Sequence, residues 1–188
     1  MKNTPLTIRF KTVRYTLKDW VVLPLPKDES AKLPSRGQVS VKGTINGHEF
    51  QTVLEPDGRG GHWMRVSDEL KKTAGVISGD TVTVEITTSA TWPEPNLPKD
   101  FADALKIAPA KVKDKWKDIT PMARWEWIRW MNATLSQETR AVRIEKTISK
   151  LNGKHRRPCC FNLAACTEPY LMKNSQLMEP DVAKTNAS

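Results

Sequence analysis

Three prolines lie within residues 91–98, TWPEPNLP, and separate two parts of the chain that have different hydrophobic patterns. Proline fixes φ and lacks a backbone N–H, so such a run neither extends a sheet nor lies inside a helix. In residues 1–90, apolar and polar residues alternate in short runs, as in β-strands. In residues 99–157, apolar residues recur at the three- and four-residue spacing of helices. We therefore predict two domains joined by a proline-rich linker at 91–98.

The N-terminal part is predicted to form a small closed or partly closed barrel. Its clearest signal is Asn46-Gly47 between two β-rich runs, because a type I′ hairpin turn needs positive φ at both central positions. Ser67 to Gly75 has the pattern of one short helix, with a capping serine and a terminal glycine. About six strands are too few for a β-sandwich. They are predicted in residues 4–15, 20–26, 39–45, 50–54, 63–66 and 81–87.

The C-terminal part is predicted to contain three to four helices, which makes the chain α+β. Thr120-Pro121 and Ser136 are helix start signals, and Gly153 is a stop signal. The helix that starts at Pro121 is apolar on two sides, so we expect it to pack between the barrel and the last helix. Its tryptophans are then core residues. The alternative is that one of them lines a ligand groove or stacks on a nucleic-acid base.

Positive charge is concentrated after the linker. The net charge is +9, and residues 106–157 hold 14 Lys/Arg against 5 Asp/Glu, whereas residues 1–90 hold 13 against 10. A segment this basic attracts phosphates, anionic lipid headgroups or acidic partners. In the last helix, Arg143, Lys146 and Lys150 are three or four residues apart and project from one face. This stripe is either a solvated helix face or an anion-binding face.

Four residues of metal-binding type lie close together near the C-terminus: His155, Cys159, Cys160 and Cys166. Zinc accepts such sets, but this spacing lacks a Cys-x2-Cys clasp, and we predict no bound metal and no cofactor. The alternatives are a hairpin whose cysteines pack on the body, or a thiol activated by neighbouring arginines. The sequence contains no Ser-His-Asp set, paired carboxylates or phosphate loop, so nothing in it favours an enzyme.

The chain also carries signals for its compartment. The N-terminal residues lack an apolar stretch followed by a cleavage site, and no run approaches the length of a transmembrane helix. An odd number of clustered cysteines is a poor disulfide framework, which indicates a reducing compartment. We therefore expect a cytoplasmic protein. Beyond the helices we predict a cysteine-rich extension at 158–171 and a disordered tail at 172–188, which is polar and aperiodic.

Several motifs along residues 6–157 resemble a known family. The motif TRAVRIEK at residues 139–146, after the tryptophan-rich helix and before GKHRRP at 153–158, resembles the YdeI/OmpD-associated family, also called the bacteriocin-protection family. The N-terminal part is similar to the small uncharacterised barrel domain that is often fused to it. That likeness rests on WVVLPLP at 20–26, VKGTING at 41–47 and AGVISGDTV at 74–82.

The resemblance implies a fold and a biological role. The barrel would be similar to double-split β-barrels, the architecture also used by AbrB-type transition regulators. The helical part of the family has been linked to tolerance of antimicrobial peptides and bacteriocins, and to an outer-membrane porin. The family has no agreed catalytic residues, so none is transferred to this chain.

Two functions follow as hypotheses. The first is a non-enzymatic binding or protection protein whose site, at the junction of barrel and helices, takes a small molecule, peptide or protein. Guanidinium groups interleaved with tryptophans offer cationic and aromatic contacts there, and the candidate residues are Arg124, Arg129, Arg140, Arg143, Trp127 and Trp130. The alternative is nucleic-acid binding through an AbrB-like barrel and the basic segment.

Overall fold

The computed structural model of the protein describes residues 5–75, 81–159 and 161–179. Two compact units make up the chain. The half-barrel unit comprises Met1–Ala90, Leu163–Cys166 and Lys173–Ser188, and the helical unit comprises Thr91–Asn162 and Thr167–Met172. The predicted α+β class is confirmed, because the large antiparallel sheet lies in the first unit and the long helices lie in the second.

One curled antiparallel sheet forms the half-barrel unit. Its seven strands are β1 (Thr7–Val13), β2 (Tyr15–Leu17), β3 (Trp20–Pro24), β4 (Val39–Ile45), β5 (His48–Pro56), β6 (His62–Arg65) and β7 (Thr81–Thr88). They pair in the order β1-β7-β4-β5-β6-β3-β2. Two short helices, α1 (Lys27–Ala31) and α2 (Asp68–Thr73), complete this part of the unit. The sequence did not predict β2 or α1, which are only three and five residues long.

The core of the half-barrel follows from strict alternation along its strands. In β1 every second residue is buried, and Ile8 and Phe10 face Ile86 and Val84 of β7 in register. Burying a side chain of this size stabilises the fold by about 1.5–3 kcal/mol. The hydroxyl of Thr12 in β1 donates to the Pro24 carbonyl in β3 at 2.8 Å. Since β1 and β3 lie near opposite ends of the strand order, this bond shows how far the sheet curls.

The β4–β5 hairpin confirms the predicted turn. Asn46 and Gly47 adopt positive φ values of 49° and 85°, and Ile45 pairs with His48 across them. Gly43 has a different role in the same strand. A side chain there would collide with the backbone carbonyl oxygen of Glu85 on β7, so glycine permits the close approach of the two strands.

Four helices form the helical unit: α3 (Lys99–Ile107), α4 (Ala110–Asp118), α5 (Pro121–Asn132) and α6 (Gln137–Asn152). The predicted start signals are confirmed, because Thr120 accepts from the Ala123 amide at 3.2 Å and Ser136 accepts from the Thr139 amide at 3.1 Å. The four helices share one apolar core whose largest side chains are Phe101, Trp116, Trp127 and Met131. None of the helices in the described ranges combines the length and apolarity that crossing a bilayer requires.

The C-terminal segment differs from its predicted disorder at residues 172–177. These residues form a short hairpin of β8 (Met172–Lys173) and β9 (Gln176–Leu177). Leu177 is buried, and its amide donates to the Asp57 carbonyl at 2.8 Å. The polar composition predicted a free tail, but one apolar side chain and backbone hydrogen bonds anchor it. Residues 180–188 and the predicted turn within residues 76–80 lie outside the described residues.

Candidate functional site

Arg140, one of the predicted site residues, links three helices of the helical unit. Its Nε and Nη2 atoms donate to the two carboxylate oxygens of Asp100 in α3, the second at 2.9 Å. Its Nη1 atom donates to Asn132 Oδ1 at the end of α5 at 2.7 Å. These hydrogen bonds hold the pKa of Asp100 below its usual range, so the pair is charged at neutral pH. All three nitrogens of Arg140 therefore have partners within the unit.

Arg124 is engaged in a similar way. Its Nη2 and Nε atoms donate to the carboxylate of Glu94 at 2.6 and 2.9 Å. Its Nη1 atom donates to the carbonyls of Trp116 and Ile119 at 2.9 and 2.7 Å. The carbonyls at a helix C-terminus lack helical partners, and a cation there is favourable. Arg124 thus caps α4 and ties it to the segment that precedes α3.

Two further arginines, which the sequence did not single out as site residues, complete the pattern. Arg156 donates to Asp118 Oδ2 at 2.5 Å and to the Asp118 carbonyl at 2.8 Å, which lowers the pKa of that carboxyl. Arg157 donates from both edges of its fork to Glu126, with Nε 2.5 Å from Oε2. Glu126 is the single acidic residue of α5 and is buried. A single acidic residue on a helix that is otherwise apolar and basic could have indicated, from the sequence, that a cationic side chain pairs with Glu126.

Of the three tryptophans of α5, Trp127 lies in the core, whereas Trp125 and Trp130 are half-buried. Trp127 is fully buried, and its indole N–H donates to the Arg156 carbonyl at 3.2 Å. Trp130 is half-buried and meets Trp127 edge to face with 6.0 Å between ring centroids. Arg129 is also buried, with its guanidinium 5.2 Å from the centre of the Phe161 ring. Of the candidate residues on α5, Trp130 is therefore the aromatic side chain that a ligand can reach.

The cationic stripe Arg143, Lys146 and Lys150, called the α6 face below, separates into three environments. Arg143 donates to the Trp130 carbonyl at 2.8 Å and lies 5.6 Å from the Trp130 ring centre, and burial lowers its pKa. Lys146 is exposed to solvent. Lys150 Nζ lies 2.8 Å from Cys159 Sγ. The structure thus joins Arg143 to Trp130 and presents Lys146 beside them on α6.

The metal candidates fall into different surroundings. His155 and Cys159 are exposed residues of the helical unit, whereas Cys166 is buried in the half-barrel unit, where its amide donates to the Ser175 carbonyl. Cys160 lies outside the described residues. Within the part of the chain that the structure describes, no group of three or more His, Cys, Asp or Glu side chains is placed to hold a metal ion.

In the half-barrel unit, a buried serine–histidine pair connects α1 to β6. Ser30 Oγ lies 2.7 Å from His62 Nδ1, and His62 Nε2 lies 2.8 Å from the Gly37 carbonyl. Because a carbonyl only accepts, Nε2 carries the proton and Nδ1 accepts from Ser30. Both side chains are at most 1% exposed, and burial lowers the pKa of His62. No substrate reaches this pair from solvent, so it acts as a link within the core.

A shallow depression of about 310 Å³ lies on the outer face of the sheet. Arg9 and Glu85 face each other across β1 and β7 there, and Thr44 is the partner of Glu85 on β4. The two charges offset each other. The depression offers hydrogen-bonding groups without the positive charge that marks the helical unit.

Comparison with protein families assigns both parts of the chain. Residues 94–153 match the family described as bacteriocin-protection, YdeI or OmpD-associated, and residues 10–86 match the domain of unknown function DUF1905. The chain thus carries a DUF1905 domain followed by a YdeI/OmpD-associated domain. The predicted resemblance is thereby confirmed. A search among curated proteins found no match.

The YdeI/OmpD-associated match ends before part of the arginine network. It includes Glu94, Asp100, Asp118 and Glu126, the four carboxylates of the ion pairs described above. Arg156 and Arg157 lie after its last matched residue. The segment that follows α6 thus supplies partners for two carboxylates of the matched region, and we regard it as part of the same folded unit.

Proposed function

We propose that the protein is a non-enzymatic binding protein of the YdeI/OmpD-associated type that acts in tolerance to antimicrobial peptides or bacteriocins. The observation that carries this proposal is the match of residues 94–153 to the bacteriocin-protection family. The nucleic-acid alternative is not proposed. Neither matched family is described as binding nucleic acid, and four arginines of the basic segment are engaged by carboxylates, so their guanidinium groups are not available for phosphate contacts.

The proposed binding surface is the α6 face together with Trp130. Its support is that Arg143 and Trp130 are in contact at the surface of the unit and that Lys146 projects one helical turn further along α6. A guanidinium beside an indole ring offers both charge and aromatic contact. The other candidates, Arg124, Arg129, Arg140 and Trp127, would hold the helices that carry this surface.

Charge indicates which class of partner this surface takes. Residues 106–157 carry 14 Lys/Arg against 5 Asp/Glu. Membrane-active antimicrobial peptides are rich in lysine and arginine, so a surface of this charge repels them. We therefore propose that protection works through an acidic partner inside the cell that carries carboxylate or phosphate groups. Direct capture of a cationic peptide is disfavoured.

The test is complementation in a strain that lacks the gene. Deletion should lower the bacteriocin or antimicrobial-peptide concentration that stops growth, and the wild-type gene should restore it. The double variant Arg143→Ala/Lys146→Glu should fail to restore it. Lys111→Glu, which inverts one exposed charge on α4 of the same unit, is the matched control and should restore it.

Two results would contradict these proposals separately. If deletion leaves the inhibitory concentrations of all tested peptides and bacteriocins unchanged, the proposed role in tolerance is wrong. If the Arg143→Ala/Lys146→Glu variant restores tolerance as well as Lys111→Glu does, the role stands and the α6 face is not its binding surface. Circular dichroism of both purified variants should first show wild-type helix content.

A further inference from the structure

Residues 175–179, called the strap below, end the described part of the chain and contact a loop of the half-barrel unit. Leu177 is 2% exposed, and its amide donates to the Asp57 carbonyl at 2.8 Å. Two residues further on, a carboxylate oxygen of Glu179 lies 3.6 Å from Arg59 Nη2. An apolar side chain and a carboxylate, two residues apart, therefore hold the strap on this loop.

The loop Asp57–Gly61 that receives the strap, called the acceptor loop below, is held in shape by its own hydrogen bonds. The carboxylate of Asp57 accepts from the amides of Arg59 and Gly61 at 2.6 and 2.8 Å. The amide of Asp57 donates to the Gly61 carbonyl at 3.0 Å. None of these three bonds involves the strap, so the acceptor loop keeps its conformation whether the strap is bound or released.

The main chain of the strap lies directly against Gly58 of the acceptor loop. A Cβ atom at this position would lie 2.1 Å from the Ser175 carbonyl oxygen, so only glycine permits the contact. The same carbonyl accepts from the Cys166 amide at 2.9 Å. The acceptor loop thus offers what an extended chain needs, namely room for its backbone and a carbonyl at Asp57 for one of its amides.

The strap itself is held weakly. Of its five residues only Leu177 is buried, and the Glu179 side chain is 78% exposed, so solvent screens its ion pair with Arg59. Ser175 has a φ of 61°, which is unfavourable for a residue other than glycine. Ordering five residues costs conformational entropy that opposes these few contacts. We therefore expect the strap to exchange between bound and released states.

The boundaries of the family matches separate the acceptor loop from the strap. Residues 10–86, which match DUF1905, contain the loop, whereas the strap lies after both matched regions. We propose that the acceptor loop is a docking site for an extended protein segment with an apolar side chain followed two residues later by a carboxylate, and that the strap is its displaceable occupant in this chain. Backbone hydrogen bonds combined with a buried side chain are a common way to bind such segments. The partner is another protein that presents this pattern, and the site is independent of the α6 face.

A fluorescent peptide of residues 173–179, KNSQLME with an amidated C-terminus, tests the site by anisotropy titration with the full chain. Leu177→Ser removes the apolar anchor and releases the strap. This variant should bind the peptide about tenfold more tightly than wild type, in which the strap competes for the loop. The peptide with Leu177→Ser should bind neither protein. Circular dichroism should first show that the Leu177→Ser chain is folded.

A charge exchange tests the contact with Arg59. In the Leu177→Ser chain, Arg59→Glu should weaken binding of the peptide about fivefold, and the peptide with Glu179→Lys should restore it. Lys42→Glu, which inverts an exposed charge on β4 of the same unit, is the matched control and should leave binding unchanged.

Three results would overturn the proposal. Equal binding to wild type and Leu177→Ser, or no binding to either, would mean that the strap and the peptide do not share a site. If the Glu179→Lys peptide fails to restore binding to the Arg59→Glu chain, Arg59 does not recognise the carboxylate. A Leu177→Ser chain that does not fold would make the strap an integral part of the unit and not a displaceable occupant.

Discussion

The two units of this protein differ in how they satisfy polar and charged groups. In the half-barrel unit, strands pair through backbone hydrogen bonds, and the buried His62 is satisfied by Ser30 and a backbone carbonyl. In the helical unit, arginine–carboxylate pairs join residues that are 30 to 40 positions apart in sequence. One unit is thus held by its main chain, and the other is held across its helices by side chains.

The difference follows from the lengths of the elements. The helices α3 and α4 have nine residues each, and isolated helices shorter than about 12–15 residues are marginal in water. Helices also have no free backbone groups along their sides to pair with neighbours, so side chains must connect them. Much of the arginine content of this basic segment therefore serves the scaffold. Binding has to use the cations outside the ion pairs, such as Lys146.

The largest expected effect comes from removing the packing centre of the helical unit. Trp127 is fully buried, so Trp127→Ala should lower the free energy of unfolding by about 3–5 kcal/mol. Urea unfolding followed by the helical signal at 222 nm measures it. Val142→Ala, at an exposed position of α6, should stay within about 0.5 kcal/mol of wild type. A loss below about 1 kcal/mol for Trp127→Ala would place the centre of the unit elsewhere.

The second prediction separates scaffold arginines from surface arginines. Arg157→Met leaves the buried carboxylate of Glu126 without its partner and should cost about 1–3 kcal/mol. The double variant Glu126→Gln/Arg157→Met removes the charge as well and should recover more than half of that loss. Lys154→Met, nearby and exposed, is the control and should be nearly neutral. A double variant no more stable than Arg157→Met would show that the charge pairing is not what stabilises this contact.

Local chemistry was predictable from the sequence in both units. The turn at Asn46-Gly47 and the helix caps at Thr120 and Ser136 depend on residues within a few positions of each other. Hydrophobic alternation likewise predicted a strand within residues 4–15, and Ile8 and Phe10 of β1 are buried. The family motif at residues 139–146 needed no three-dimensional information either.

Contacts between distant residues were not predictable in this way. Nothing near His62 in sequence indicates that Ser30 and Gly37 surround it, and the glycine run before it is more typical of a loop than of a buried strand end. Leu177 is one apolar residue in a polar segment, and its anchoring at Asp57 depends on the fold. Arg140 was predicted to bind a ligand, but its partner Asp100 lies 40 residues away in sequence. Side chains that serve folding and side chains that serve binding look alike in a sequence.

The third prediction gives the half-barrel unit its own pH dependence. Burial lowers the pKa of His62 in the folded protein, so the unfolded chain takes up a proton first as pH falls below about 6.5. Stability that is complete above that pH is therefore lost below it, by at most about 1.4 kcal/mol per pH unit. Between pH 7.5 and pH 5.5, the urea midpoint should decrease by the same amount in wild type and in His48→Gln, which changes an exposed histidine of the β4–β5 hairpin. His62→Gln should show a smaller drop, and an equal drop would contradict the assignment.

The smallest effect belongs to the acid response of the helical unit, which lies in a different pH range. Arg140 lowers the pKa of Asp100, so this carboxylate contributes stability that is complete above about pH 4 and is lost as pH falls further. Because Asp100 is 44% exposed, solvent screening limits the contribution to below about 1 kcal/mol. Asp100→Asn should therefore lose less stability than wild type between pH 5 and pH 2.5, whereas Asp114→Asn, at an exposed position on α4, should follow wild type. If Asp100→Asn instead changes the loss of stability between pH 7.5 and 5.5, the two units do not lose stability in separate pH ranges. The contrast between main-chain and side-chain stabilisation would then not be visible in the pH dependence of stability.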